Sequence, residues 1–596
     1  MTLAVLMRKK KSSTRIVRRT MDFLRIEALP RRTSFVDHSE ALTLALKTPN
    51  GTEKLWVDQA WALCEMVEKR GLVANIEAGG GKTIISYLAP VVLQARRPLL
   101  LIPASLREKT LRTSIPKWAQ HFRLHPELRV LSYEQLSQVG QANYLHDLLP
   151  DLIIGDECHR IRNKGSAVSR RVFRYFEDFP DTMGVWLSGT TTRRSVRDYA
   201  PILQLALGEG SPVPIRYTDL EDFADALDEG VDDDCRPAPG ALLDLCAPGE
   251  NIRQGFRRRL LETEGYVATA SPAVSTSLRV FEREVVVPQA VSAAFSKLRR
   301  TWCTPGGETI ITALDFARHA KELALGFYYR WKWPNDVVDF EWLAARKEWR
   351  QFVRACIADG RAYDSELQVA RACIAGKVDR KCYDAWKAIR KRSNPETEAV
   401  WVSDYMVQEA LKWMKTGPGI VWVEHNAMAD ALRAHALTGG GVVAGGYGCF
   451  GAGENDISQE DGERSVVASI RAHGTGKDLQ MFSRALYIAV PGSGVAWEQS
   501  LARLHRPGQE ADEVENEVFL QCVELWNAFD QARRDATYIE QTTGQKQRLL
   551  FADVVVTDAA TVVMRGAKSR ADPLWCKELP PTTIPVLGLT SAPAGA

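Results

Sequence analysis

The feature that most constrains the fold is an alternation of short apolar runs with amphipathic stretches over residues 55–207. Each run is continuous and bounded by polar or turn-forming residues, which is typical of parallel strands buried on both faces. Helical patterns lie between the runs, for example over residues 83–95. This order of elements predicts an α/β domain with a parallel sheet. The four predicted strands are RPLLLIP (97–103), LRVLSY (128–133), DLIIGDE (151–157) and GVWLSG (184–189).

The same pattern returns in the second half of the chain, with a helical stretch over residues 427–436 between two of the runs. The halves share no repeat in residue identities, but they are similar in kind. We therefore expect two α/β domains with parallel sheets, at 51–289 and 401–550, separated by a helical insertion. The predicted strands of the second domain are GIVWVEH (419–425), RSVVASI (464–470) and RALYIAV (484–490).

The segments around the first domain differ from it in composition. Residues 1–50 form an N-terminal extension whose basic run, RKKKSSTRIVRR (8–19), is either a solvated tail or a non-specific grip on phosphate. Residues 219–250 are acidic and are predicted to form a surface insertion or linker. The run SLRVFEREVVVP (277–288) is predicted to be a strand that leaves the first domain.

The region 290–400 is helical in pattern and rich in aromatic residues. Nine of the sixteen tryptophans fall between Trp302 and Trp422. Packing of a helical subdomain is the favoured interpretation, and a stacking platform for bases is the alternative. Residues 551–596 are predicted to be a loosely ordered tail. The residues that recur at helical spacing in the insertion are Trp342, Ala345, Trp349, Phe352, Val353 and Cys356.

Composition excludes several classes of protein. No apolar run approaches the roughly 18 residues needed to cross a bilayer, so we expect no membrane association and a cytoplasmic location. The eleven cysteines contain no C-x-x-C pair, which gives neither a zinc site nor a disulfide framework any support. A net charge of only +3 means that a polyanionic partner would have to meet a local basic surface.

The sharpest local signal is AGGGKT (78–83), which follows a predicted strand and leads into a helix. Glycine permits backbone N–H groups to turn inward around a polyanion, here at Gly79, Gly80 and Gly81. Lys82 would reach the β- and γ-phosphates of a nucleotide, and Thr83 would place its hydroxyl on Mg²⁺. The alternative for such a short motif is an ordinary strand–helix turn.

A partner for this loop is the DECH sequence (156–159), which closes an apolar strand. Acids at the carboxyl end of a parallel strand lie at the edge where α/β sheets bind ligands. Asp156 would hold the Mg²⁺, and Glu157 would orient or deprotonate the attacking water. The alternative, two acids on a strand end at the surface, is disfavoured because the strand body is apolar throughout. ATP hydrolysis is the predicted chemistry.

The second half contributes WEQSLARLHRPGQ (497–509), which spaces Gln499, Arg503 and Arg506 along one helical face or its end. Arginines that reach a γ-phosphate from another domain stabilise the charge of the transition state when the cleft closes. The alternative is a solvated basic helix.

Taken together and in this order, the motifs of residues 55–514 resemble those of the superfamily-two helicases, specifically the Swi/Snf-type translocases. The resemblance implies two RecA-like P-loop domains and ATP-driven movement along nucleic acid, above all along double-stranded DNA. The matching stretches, in order, are EAGGGKT (motif I), LLLIPASL (Ia), VLSYEQL (Ib), DECHRIRNKGS (II), SGTTTR (III), HGTGKDLQ (V) and QSLARLHRPGQ (VI).

The resemblance assigns roles beyond the residues already derived. Gln59 would contact adenine, and Gly476 and Asp478 would complete the ATP site together with the motif VI side chains. Ser188 and Thr190 would couple the nucleotide state to the nucleic-acid cleft. Two departures from the family pattern, Thr191 in place of proline and Lys477 in place of leucine, bear on that coupling.

Further expectations concern the whole protein. No bromodomain-like, chromodomain-like or zinc module flanks the predicted motor, which favours a compact, monomeric bacterial or phage enzyme. The helical insertion falls where the family carries protrusions and a brace, and it could bind protein partners. Two other functions stay open: a nucleotide-binding switch with little turnover, and the motor subunit of a restriction or recombination complex. Tracking along a duplex is favoured over strand separation.

Overall fold

The computed structural model of the chain contains two large parallel sheets, each covered by helices. The structure describes residues 15–556 except for 33–35, 78, 164, 190–191, 193, 232, 234, 270–273, 275, 307–312, 335–336, 359–362, 364–365, 394, 438–446, 452–456 and 475. Ala78, Thr190 and Thr191 therefore lie outside the described residues, as do residues 8–14 of the basic run.

The first sheet has six parallel strands in the order β3–β2–β4–β5–β1–β6. The four strands predicted from the apolar runs are confirmed as β2 to β5. In β2, Leu99 and Leu101 pack in the core on one face of the sheet, and Leu100 and Ile102 pack in the core on the other face. Because both faces of this strand are buried, its sequence is apolar at every position. The strands are β1 Leu72–Asn75, β2 Pro98–Ile102, β3 Arg129–Ser132, β4 Leu152–Asp156, β5 Met183–Ser188 and β6 Tyr266–Ala268.

Twelve helices precede β6 in the described residues. The helix predicted over 83–95 is confirmed as α4, which begins at Lys82 because Gly81 adopts the left-handed conformation immediately before it. The helices are α1 Met21–Ala28, α2 Ser39–Leu46, α3 Val57–Lys69, α4 Lys82–Val92, α5 Ala104–Lys109, α6 Ile115–His121, α7 Tyr133–Ser137, α8 Tyr144–Leu148, α9 Ala167–Asp178, α10 Ala200–Leu207, α11 Tyr217–Leu227 and α12 Ile252–Leu261.

The acidic stretch 219–250 was expected to be a surface insertion or linker, but part of it is a packed helix. Much of α11 lies within it, and Phe223 and Leu227 of that helix are fully buried in the core of the first sheet. Its acids bind the N-terminal segment: Arg15 forms ion pairs with Asp222 and Asp225. The described part of the basic run is therefore held against the first domain and is not a solvated tail. Apolar spacing inside an acidic sequence marks a helix that is packed on one face only.

The second sheet has seven parallel strands in the order β11–β12–β10–β13–β14–β7–β15. The three strands predicted for this half are confirmed as β10, β12 and β13. The segment assigned to the end of the first domain is β7, and it pairs with β14 through six residues, from Ser277 opposite Glu513 to Glu282 opposite Val518. The strands are β7 Ser277–Glu282, β10 Ile420–Val423, β11 Gly448–Phe450, β12 Val466–Ser469, β13 Arg484–Tyr487, β14 Glu513–Val518 and β15 Asp553–Val555.

The start of the predicted tail also belongs to this sheet, because β15 pairs with β7 through Asp553, Val554 and Val555. The expectation of a loose tail is wrong for residues 551–556, and residues 557–596 lie outside the described part of the chain. Neither β7 nor β15 has the long apolar run of a central strand. Their place in the sheet is therefore determined by pairing with strands far along the chain and not by their local sequence.

The predicted insertion is helical, but it is built on an antiparallel strand pair that the sequence did not indicate, β8 Phe327–Lys332 with β9 Glu396–Trp401. Its helices surround a separate small core that contains Trp349, Val369 and Tyr383. No helix of the described residues is long and apolar enough to cross a membrane. The remaining helices are α13 Gln289–Thr301, α14 Ala313–Ala324, α15 Phe340–Ala358, α16 Glu366–Ile374, α17 Lys381–Ile389, α18 Tyr405–Met414, α19 Asn426–Leu437, α20 Ile470–His473, α21 Gly494–Leu504, α22 Val523–Thr543 and α23 Arg548–Phe551.

Candidate functional site

Three strands of the first sheet end together and bring separate sequence motifs to one edge. In the β1–β5 pair, Asn75 lies opposite Ser188, and in the β4–β5 pair Asp156 lies opposite Leu187. All three strands are parallel neighbours, so the glycine loop, the paired acids and Ser188 follow directly from adjacent strand ends. This is the edge at which parallel α/β sheets bind ligands.

The glycine loop adopts backbone conformations that other residues rarely adopt. Gly79 has φ 96° and Gly81 has φ 76°, and a Cβ at Gly81 would lie 2.0 Å from the Gln59 amide nitrogen. A Cβ at Gly80 would lie 2.5 Å from Cγ2 of Ile76. Each of the three glycines therefore has a local reason to lack a side chain, which a turn of arbitrary sequence would not require.

Lys82 lies inside this loop. Its Nζ donates hydrogen bonds to the carbonyl oxygens of Ile76 and Glu77, each at 2.9 Å. Burial lowers the pKa of Lys82, Glu157 and Asp156 oppose that shift, and the charge of Arg503 adds to it. The ammonium group is thus enclosed at the strand edge with both acidic and basic neighbours. Thr83 follows it as a half-buried residue in the first turn of α4.

Gln59 lies against the loop but also serves its own helix. Its side-chain oxygen accepts a hydrogen bond from the Trp56 backbone N–H at 2.9 Å, which caps the start of α3. Its amide nitrogen occupies the space beside Gly81 that a side chain at that position would need. The structure therefore places Gln59 beside the glycine loop, with its oxygen engaged and its nitrogen directed toward the loop.

The paired acids follow β4. The Glu157 backbone N–H donates to Oδ1 of Asp156 at 3.0 Å, and the Tyr133 hydroxyl donates to the Asp156 carbonyl at 2.9 Å. Glu157 has φ 58°, a left-handed conformation that turns its side chain away from the strand direction. Gly155 directly precedes the pair. A Cβ at this position would lie 2.5 Å from the Trp186 ring, so β4 has room only for glycine here.

Glu157 also contacts motif III. One carboxylate oxygen lies 3.2 Å from Nδ1 of His159 and accepts a 3.4 Å hydrogen bond from the Ser188 hydroxyl. His159 and Ser188 are themselves 3.2 Å apart. The structure thus joins Ser188, predicted as a coupling residue, to the predicted base through a three-membered cluster.

The two acids have opposite proton affinities. Burial and the charge of Glu157 raise the pKa of Asp156, although Lys82 opposes the shift. Burial alone would raise the pKa of Glu157, but the hydrogen bond and charge of His159, with Lys82 and Arg503, lower it below its ordinary value. Glu157 is therefore the carboxylate that stays ionised at neutral pH.

The arginines of the second half reach this edge. A Cβ at Gly79 would lie 3.0 Å from Cδ of Pro507 and 3.8 Å from Cβ of Arg506, so motif VI packs directly on the glycine loop. Arg503 is only 5% exposed, and burial together with Arg506 lowers its pKa to about 10, against the charge of Glu157. These two arginines are far from Lys82 in the sequence and lie at the same site in the fold.

The guanidinium groups are held by the backbone of motif V. Arg503 and Arg506 each donate to the Lys477 carbonyl at 3.1 Å, and Arg503 also donates to the Gln499 carbonyl at 2.9 Å. Gln499 itself is half-buried on α21. Motif V therefore positions the arginines, and the departure at Lys477 does not remove this contact, because the contact uses the carbonyl.

Asp478 connects the two halves. Its carboxylate lies 2.5 Å from Nη1 of Arg506 and 2.9 Å from Nζ of Lys109, which belongs to α5 of the first domain. Next to it Gly476, with φ 70°, packs against Leu106, whose Cδ2 would lie 2.2 Å from a Cβ at that glycine. The predicted motif V residues thus lie at the junction with the first domain.

One buried arginine at this site was not predicted. Arg548 is 1% exposed and forms ion pairs with Glu498 of α21 and with Glu77, which precedes the glycine loop; the Glu77 contact is 3.4 Å. Its backbone N–H also donates to Glu498 at 2.6 Å. Nothing local in the sequence marks Arg548, because it follows a long amphipathic helix in a stretch without a recognisable motif.

The residues that could hold a metal ion are few. Among the residues that the structure describes, no group of three or more His, Cys, Asp and Glu side chains is arranged to bind a metal. Asp156 and Thr83 lie at the same strand edge, and Mg²⁺ commonly takes only one or two protein oxygens when substrate phosphates complete its shell. In comparisons with protein-family models and with curated proteins, the chain matches neither a family nor a curated protein.

Proposed function

We propose that the chain is an ATP-driven motor that moves along nucleic acid, with duplex DNA as its track and two RecA-like halves closing on one nucleotide. The observation that carries this proposal is the contact between motif VI and the glycine loop, where Pro507 and Arg506 pack on Gly79. A single-domain phosphate-loop enzyme has no need of such a contact. A cleft that opens and closes on a nucleotide requires it.

The residues present suit a polyphosphate. Lys82 and Arg503 are cations enclosed at one edge; burial lowers the pKa of both, and the charge of Arg503 lowers that of Lys82 further. An anionic ligand between them would favour the charged form of each. The hydrogen bonds from Lys82 to loop carbonyls can be exchanged for bonds to phosphate oxygens. Mg²⁺, when bound by Asp156 and Thr83, would neutralise charge on the transferred phosphoryl group.

In this mechanism, the protein contributes position and charge. The glycine loop and Lys82 hold the phosphates, and Arg503 and Arg506 bring positive charge from the second half when the cleft is closed. Glu157, ionised because of His159 and the nearby cations, orients the attacking water and takes its proton. Ser188, which donates to Glu157, links this base to the end of β5.

The test of the site is Lys82→Ala. We expect loss of ATP hydrolysis, because the cation that holds the phosphates against the glycine loop is removed, while binding to duplex DNA stays close to that of the unchanged protein. The matched control is Lys54→Ala, an exposed lysine of the first domain, which should hydrolyse ATP normally. Steady-state turnover in Lys82→Ala equal to that of the control would contradict the assignment.

The same assay separates the motor from a switch. A motor hydrolyses ATP faster when its track is present, because track binding and cleft closure are coupled. Turnover is therefore measured with duplex DNA, single-stranded DNA, RNA and no nucleic acid. Stimulation by duplex DNA supports the motor, and slow turnover that no nucleic acid changes favours a nucleotide-binding switch.

A further inference from the structure

The helical insertion is one of the basic parts of the chain, together with the N-terminal segment, whose described arginines Arg15, Arg19 and Arg25 form ion pairs with acids. Residues 340–392 contain thirteen lysines and arginines against seven aspartates and glutamates, although the complete chain has a net charge of only +3. The rest of the chain is therefore slightly acidic. A basic surface on this scale is the electrostatic mark of a partner with many negative charges.

The tryptophans of the insertion are used for its own packing. Trp349 is 2% exposed and lies 5.5 Å from the Tyr383 ring, and Trp342 lies 5.3 Å from Trp386. The Arg346 guanidinium stacks between the rings of Trp331 and Trp342, at 5.4 and 5.2 Å. These contacts join α15, α17 and the strand pair, which favours packing over base stacking as the role of these four tryptophan rings.

The cations, in contrast, are on the outside. Arg380, Asp384, Lys387 and Lys391 follow one another at four-, three- and four-residue spacing, which places them along one face of α17 and its end. Arg380 is neutralised by Asp384. Within the described part of the chain, no ion pair involves the exposed cations Lys347, Arg350, Lys381, Lys387, Arg390 and Lys391.

We propose that α17 and the residues directly after it bind the phosphate backbone of a duplex nucleic acid, independently of base sequence. This rests on the proposed function, whose track it would hold beside the cleft. Charge complementarity is the reason: DNA offers a dense row of negative charge, and this surface offers several unneutralised cations. The neighbouring helices have exposed large apolar side chains, Phe340 on α15 and Leu367 and Ile374 on α16. None of those in the described residues lies on α17, whereas the centre of a protein interface is apolar.

The test uses the full chain with four surface changes, Lys381→Gln, Lys387→Gln, Arg390→Gln and Lys391→Gln. The matched control carries Lys54→Gln, Arg96→Gln, Arg97→Gln and Lys415→Gln, four exposed cations outside the insertion. Affinity for a fluorescent duplex of about 30 base pairs is measured from about 50 to 200 mM salt without nucleotide. Because all eight side chains are exposed, both variants should unfold at the same temperature as the unchanged protein.

We expect the insertion variant to bind the duplex at least tenfold more weakly at the lowest salt, since several phosphate contacts are lost. The slope of log affinity against log salt should fall by about 3 to 4, at roughly 0.9 for each phosphate contact removed. The control variant should have the same affinity at the lowest salt and the same salt slope as the unchanged protein. Binding by the insertion variant equal to that of the control would overturn the inference and leave the motor proposal standing.

Three further outcomes would also contradict the inference. If the unchanged protein fails to bind duplex DNA at every salt concentration tested, duplex DNA is not the track. The inference and the motor proposal then fail together. If polyglutamate binds the unchanged protein as tightly as the duplex does and competes with it, an acidic protein is the better partner and the nucleic-acid inference is overturned. Equal loss of binding in both four-site variants also contradicts it, because the effect would then be general.

Discussion

Glu157 combines three features expected of a residue that activates water. It stays ionised because His159, Lys82 and Arg503 outweigh its burial, it projects from a left-handed backbone position, and Ser188 donates to its carboxylate. The neighbouring Asp156 has the opposite tendency, since burial and the charge of Glu157 raise its pKa. Two adjacent carboxyls with separated proton affinities are suited to two different tasks.

Glu157→Gln should therefore lower turnover strongly while nucleotide still binds. Glutamine keeps the size of the side chain and can accept from Ser188, but it cannot take a proton from water. We expect steady-state ATP turnover to fall by roughly 10²-fold or more, with little change in the affinity for a fluorescent ATP analogue. The control is Glu127→Gln, an exposed acid elsewhere in the first domain. Unchanged turnover in Glu157→Gln would remove the residue from the mechanism.

At the scale of elements, α22 and the segment after it tie the two halves together. The Tyr538 hydroxyl of α22 lies 2.6 Å from a carboxylate oxygen of Asp228, and the Tyr266 hydroxyl of β6 donates to the Thr543 carbonyl at 3.2 Å. The chain then passes Arg548 and returns to the second sheet as β15. One continuous segment therefore contacts the first domain, the residue directly before the glycine loop (Glu77) and the second sheet.

Arg548→Met tests this connection. Removing the cation would leave the carboxylates of Glu498 and Glu77 buried without their partner, which costs about 3–5 kcal/mol for a buried pair. The midpoint of urea unfolding should fall accordingly. The variant that also carries Glu498→Gln should recover part of the loss, because fewer unpaired charges stay buried. A single variant as stable as the unchanged protein, or two changes whose effects simply add, would show that Arg548 is not buried with its acids as described.

Some elements of the fold can be predicted from local sequence and others cannot. Strand β2 is predictable because Leu99 to Ile102 are buried on both faces, so every position is apolar. β7 and β15 have exposed faces and gain their place only by pairing with each other and with β14, as the ion pair of Arg279 with Glu513, 234 positions apart, illustrates. The helix α11 was likewise not recognised from its acidic composition, because only one face of it, with Leu220, Phe223, Ala224, Ala226 and Leu227, packs in the core.

The site divides in a similar way. The glycine loop, the acid pair and the motif VI arginines are local patterns with a chemical reason for each residue type, and the structure brings all three to one edge. Arg548 and Lys109 could not be found in that way. Their partners, Glu498 and Asp478, lie in other elements, and a lone arginine or lysine has no local pattern that distinguishes it from a surface charge.

At the scale of the whole molecule, the contact between the two halves includes a polar cluster around Asp478. Lys109 of the first half and Arg506 of the second bind the two oxygens of the same Asp478 carboxylate. Partly exposed charges of this kind can exchange partners at modest cost, unlike an apolar interface of similar extent. In the proposed mechanism such a junction would allow the halves to open and close, and Arg503 would lie beside the glycine loop in the closed state.

The most direct test of a nucleotide shared by two halves is the turnover of Arg503→Ala in the presence of duplex DNA, with ATP affinity measured in parallel. An arginine supplied across a cleft contributes roughly 10³-fold or more to hydrolysis and little to nucleotide affinity in the open state. We expect a loss of that size with ATP affinity nearly unchanged and far-ultraviolet circular dichroism like that of the unchanged protein. Turnover equal to that of the unchanged protein would mean that the second half takes no part in the chemistry.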